Sequence, residues 1–115
     1  MATKQKFSWD YSINSDILNI HKSGTKVAGS AEAGDFTIDF AKDGSTVGVE
    51  IVNASEFLGH LGTTKEQLTQ LKSAELQVVQ KQQYAVIWVH LVLQEKEEMV
   101  ALPAMVMEPA VSAVA

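Results

Sequence analysis

Hydrophobic and polar residues alternate through most of this chain, and the alternation is that of β-strands. Phe7, Trp9 and Tyr11 interleave with Ser8 and Asp10, a period of two that sets the aromatics on one side of an extended segment. Ser12-Ile13-Asn14-Ser15 suits a turn, because Ser and Asn side chains bond to nearby backbone. Residues 16–21 form the return strand, with Leu18 and Ile20 on one side and Ile17, Asn19 and His21 on the other. After a turn at Lys22-Ser23-Gly24, residues 25–33 are rich in small side chains and predict an irregular edge strand.

The clearest pattern lies in residues 35–53. If Asp43-Gly44 is a two-residue type I′ loop, Phe40 faces Val47, Ile38 faces Val49 and Phe36 faces Ile51. All six are apolar and share a face, while Thr37, Asp39, Gly48 and Glu50 fall on the other. Turn chemistry and binary pattern thus give one register.

Spacing then changes from two to that of a helix. Phe57, Leu58 and Leu61 precede Gly62, and Thr63 or Thr64 with Glu66 or Gln67 forms a capping-box signature ahead of Leu68 and Leu71. One or two short helices are predicted between about 54 and 72. Alternation resumes in residues 74–81. It continues after Gln82-Gln83 in a long strand over 84–93, and after the charged turn Glu95-Lys96-Glu97-Glu98 in a last strand over 99–107. Pro103 lacks a ladder donor, which places that strand at an edge or bends it. The fold class predicted is α+β: a mainly antiparallel sheet of seven or eight strands in meander hairpins, with the helices on one face. The 115 residues are read as one domain, with 1–6 and 108–115 frayed.

Composition narrows the function classes. The chain has no cysteine, which removes thiol catalysis, Cys-based zinc sites and disulfides and fits a reducing cytoplasm. Its net charge is −5, and its nine basic residues are all lysine. Without Arg there is no planar fork to read guanine or clamp phosphate, and an acidic chain repels polyanions at long range. Nucleic acid is therefore not an expected partner. No apolar run approaches the ~20 residues of a membrane helix, and the polar first ten residues lack the core of a secretory signal.

Two segments resemble a small uncharacterised prokaryotic family, domain of unknown function 2283. Tyr11-Ser12-Ile13-Asn14-Ser15-Asp16-Ile17-Leu18-Asn19-Ile20 is similar to its opening Y-D-x-x-A-D-x-L-Y-I. Tyr11, Asp16, Leu18 and Ile20 match, whereas Ser12 replaces the usual Asp and Asn19 the usual Tyr. The stretch from Asp39 through Val47-Gly48-Val49-Glu50-Ile51-Val52-Asn53-Ala54-Ser55 resembles its D-x-D-G-x-V-V-G-I-E-I-x-N-A-S hairpin. The resemblance covers about residues 7–61. It implies a β-meander followed by a helix, brings no activity with it, and implies, as one alternative role, an antitoxin-like partner of another small protein.

No constellation of reactive residues emerges, so no catalytic, cofactor or metal residues are assigned. Asp39 and Glu50 share the polar side of the hairpin, where paired carboxylates hold a hard cation or divide into acid and base; alternating acids are equally ordinary on a solvated sheet face. His21, His60 and His90 come from three separate elements without metal-ligand spacing. Ser55, or Asn53, suits the N-cap of the first helix. The long strand is the most informative: Ala85, Ile87, Val89, Leu91 and Leu93 occupy one side, and Tyr84, Val86, Trp88, His90 and Val92 the other. The aliphatic side should meet the core, with His90 hydrogen-bonded, opposite Glu75 in one pairing. The side bearing Tyr84, Trp88 and His90 is either covered by the helices or forms an interface, since such residues are enriched in interface cores. The sequence thus points to a non-enzymatic interaction module that forms a homodimer and uses no cofactor, with a small-ligand or metal-binding protein as the other alternative.

Overall fold

The computed structural model describes residues 6–80, 84–102 and 105–106. Its elements run β1 (Phe7–Ser12), β2 (Ile17–Lys22), β3 (Gly29–Ala33), β4 (Phe36–Phe40), β5 (Thr46–Val52), α1 (Ala54–Gly59), α2 (Lys65–Leu68), β6 (Ser73–Gln80), β7 (Tyr84–Val92), β8 (Glu97–Ala101) and β9 (Met105–Val106). All strand pairs are antiparallel, and the architecture is α+β. The expected single sheet divides in two. The first has the order β1-β2-β5-β4-β3; the second has β6-β7-β8, with β9 also pairing β7.

Alternation decides which faces meet. Leu18 and Ile20 of β2, Ile38 of β4, and Val49 and Ile51 of β5 join Ala74 and Leu76 of β6 and Ile87, Val89 and Leu91 of β7 in one buried cluster. The two helices link the sheets and add Ala54, Leu58 and Leu68 to the same cluster. The ring of Phe57 also meets that of Phe36 edge to face, with centroids 5.0 Å apart. A helix as short as α2 is marginal alone. It is held by a capping box: Thr64 Oγ1 accepts from the Gln67 amide, and Gln67 Oε1 accepts from the Thr64 amide.

The hairpin register holds at Phe36–Ile51 and Ile38–Val49 but slips at Phe40, which stands opposite Thr46. The loop has three residues, not two. The Gly44 amide donates to Ala41 O, and only Gly44, at φ 87°, is left-handed; Asp43 lacks the positive φ that a type I′ turn requires. Its carboxylate instead accepts from the Ser45 amide and hydroxyl. The longer loop shifts pairing by one residue, and a bulge at Val47 shifts it back.

The 25–33 region yields the expected edge strand, β3, with all five residues exposed. The final strand is two pieces, because β9 pairs with β7 one residue out of register with β8, and Glu97 and Glu98 belong to β8 and not to the turn. The proposed turn at Gln82-Gln83, the bend at Pro103 and both chain ends lie outside the described residues. Among the described residues no helix is long and apolar enough to cross a membrane.

Candidate functional site

Three groups of side chains bear on function. The first joins the β1–β2 turn to α1. Asp16 closes that turn in the left-handed region (φ 58°), with its amide bonded to Ser12 O. This backbone geometry aims both acceptors of Asp16 at the start of α1. Its carbonyl oxygen accepts from the Ala54 amide at 3.0 Å. Its carboxylate accepts from the Ser55 amide at 3.0 Å, the Ser55 hydroxyl at 2.7 Å and the Tyr11 hydroxyl at 2.6 Å. Ser55 is therefore not the N-cap. Asn53 holds that position, left-handed at φ 55° and without a side-chain cap bond. The orphan amides of the first turn are satisfied from a residue 39 positions earlier.

The electrostatics of this clamp argue against catalysis. Burial pushes the Asp16 carboxyl up, but the hydrogen bonds from Tyr11 and Ser55 outweigh it and hold the group below its usual range. Burial, then the bond to Asp16, drives the Tyr11 phenol well above its ordinary value. A carboxylate stabilised as the anion is a poor base for the Ser55 proton, and such a phenol is a poor acid near neutral pH. Tyr11, Asp16, Asn53, Ala54 and Ser55, drawn from both resemblance motifs, thus form one structural tie.

The second group is the outer face of the first sheet. Pairing sets Ser8, His21, Gly48, Asp39 and Ser30 in one row across the strands, and Asp10, Asn19, Glu50, Thr37 and Glu32 in the next. Asp39 and Glu50 are diagonal neighbours, as the hairpin pattern predicts. Ser30 Oγ donates to Asp39 at 2.6 Å. Asp39 and His21 close over Gly48 so tightly that a Cβ there would lie 3.0 Å from each, which gives the motif glycine a packing role. His60 follows the end of α1 and His90 lies on β7, so the fold does not assemble the histidines. Among the described residues no three His, Asp or Glu side chains are placed to hold a metal.

The third group is the outer face of β7. Ala85, Ile87, Val89, Leu91 and Leu93 are buried, whereas Val86, Trp88, His90 and Val92 are only partly covered. Trp88 stands between Gln77 of β6 and Ala101 of β8, and His90 between Glu75 and Met99. His90 Nε2 meets Glu97 Oε1 at 2.8 Å, although Glu75 is its register partner. Met99 is 50% exposed. The helices send Leu58 and Leu68 into the inner cluster, so their apolar residues serve the opposite side of this sheet. The side chain of Tyr84, the third residue predicted for this face, lies outside the described residues. Sequence reading missed the role of Asp16, whose only local signal is an aspartate ending a turn.

Comparison with known proteins bears on the first two groups only. No solved structure matches the chain significantly. An uncharacterized protein of Methanocaldococcus jannaschii is 39% identical over 51 residues, which is 44% of each chain; this chain therefore spans less than half of that relative's length. A family model matches residues 9–55, the stretch that runs from the start of the clamp to Ser55. Over residues 9–55, fewer than half of its residues, the chain is similar to the family described as Protein of unknown function (DUF2283).

Proposed function

We propose that this chain is a non-enzymatic interaction module that self-associates through the outer face of β7. One observation carries the reading: the longest strand is apolar on both sides, and only one side is used by the core. Ile87, Val89 and Leu91 belong to the shared cluster, while Val86, Trp88 and Val92, with Ala101 and the half-exposed Met99 beside them, face outward. An outer face ordinarily carries polar residues, as the rows around Gly48 do. A contiguous apolar patch rimmed by polar groups, here Glu75, Gln77, His90 and Glu97, is the usual mark of a contact surface. A second copy presents the same patch, so a two-fold pairing satisfies both faces at once.

Trp88 is the expected anchor, because buried Trp residues dominate interface energetics. Trp88→Asp should weaken self-association by about 2 kcal/mol or more, some thirtyfold in the dissociation constant, while leaving the circular dichroism spectrum of the monomer intact. Sedimentation equilibrium of the two proteins is the measurement. A Trp88→Asp protein with the mass and thermal stability of wild type would remove this face from the interface.

A further inference from the structure

We propose that the groove at the open end between the two sheets binds a small carboxylate with an apolar body, held by Lys22. The groove has a volume of about 420 Å³ and is lined by Phe7 of β1, Lys22 of β2, Gly44 and Ser45 of the β4–β5 loop, Thr46 at the start of β5, and Leu76, Gln77 and Val78 of β6. That volume lies within the range of small-molecule sites.

The side chains that face inward there combine a cation with an apolar wall. Leu18 and Ile20 of β2 point into the core, and the next residue of the same row is Lys22, paired across from Phe7. A position that alternation assigns to the interior thus carries a cation at the mouth of the sandwich. Val78, on the same side of its strand as Leu76, is 38% exposed although its cross-strand partner Ile87 is buried. The groove therefore combines an uncovered apolar wall with a single positive charge. Among the described residues Lys22 makes no ion pair. The nearby Asp43 carboxylate is held as the anion first by the Ser45 hydroxyl and amide, which both donate to Oδ1, and to a lesser degree by the Lys22 charge, with no ion pair between them. One ammonium without a nest of amides suits a monoanion better than a phosphate dianion. Phe7, Leu76 and Val78 suit an alkyl or aromatic body.

Octanoate is the probe and 1-octanol its uncharged control, each titrated into isotope-labelled protein and followed by amide shifts. Octanoate should give saturable shifts confined to residues around 7, 22, 44–46 and 76–78, and octanol should bind about tenfold more weakly. Lys22→Gln should weaken octanoate by a similar factor and leave octanol unchanged, which separates loss of the charge from loss of the fold. Three results would overturn the proposal: no saturable shifts at these amides in wild type, equal binding of octanoate and octanol, or unchanged octanoate binding in Lys22→Gln.

Discussion

Asp16→Ala should destabilise the protein by about 3 kcal/mol, the sum of two modest effects. Alanine in the left-handed conformation that Asp16 adopts at φ 58° costs about 1 kcal/mol. Removing the carboxylate also leaves the Ser55 amide and hydroxyl and the Tyr11 hydroxyl without their acceptor. Hydrogen bonds to a charged group contribute about 1.5–3 kcal/mol each, and water reaches this half-buried site to replace part of that. Asp16→Asn keeps a residue that tolerates positive φ and one acceptor oxygen, so a loss of about 1 kcal/mol is expected. Urea midpoints of the three proteins check the order. A loss well under 1 kcal/mol for Asp16→Ala would mean that the clamp does not tie α1 to the hairpin.

The same site sets two pH limbs. The folded carboxyl of Asp16 titrates below its unfolded value, so its contribution is complete above about pH 4 and is lost as pH falls through the folded value. The Tyr11 phenol titrates above its unfolded value. Its contribution is complete below about pH 10 and is lost as pH rises toward the folded value. Asp16→Asn should therefore flatten the acid limb, and Tyr11→Phe the alkaline limb.

Leu58→Ala should cost about 3 kcal/mol, within the 2–5 kcal/mol of buried leucine truncations. Leu58 is fully buried and belongs to the cluster that both sheets share, so the cavity it leaves touches the packing of both. Native stability of a domain this size is about 5–15 kcal/mol, which makes the variant marginal but folded. Its urea unfolding should remain a single transition whose midpoint is the same by fluorescence and by circular dichroism. Two separated transitions would mean that the sheets unfold independently and that Leu58 supports only one of them.

Much of this fold is legible in the sequence because period-two alternation and turn residues agree. The pairing of Phe36 with Ile51 and Ile38 with Val49, the Thr64–Gln67 capping box and the inward row of β7 follow from local pattern. Errors arise where geometry is non-local or compensating. A three-residue loop and a bulge at Val47 shift the register in opposite senses, so Asp43-Gly44 gives the right partners through the wrong turn. Ser55 looks like an N-cap because Ser is a good one, yet the acceptor comes from Asp16, and no local window contains both. The division into two sheets is equally invisible: alternation says which side of a strand is buried, not which sheet covers it. For the same reason the pattern marks the Trp88 side of β7 as apolar without naming what covers it.

The most direct test of self-association is the solution mass of the untagged chain by light scattering over a wide concentration range, with Trp88→Asp measured alongside. Wild type should rise to twice the 12.5 kDa of one chain while Trp88→Asp stays at the single-chain mass. A wild-type protein that remains at the single-chain mass at every concentration would contradict self-association.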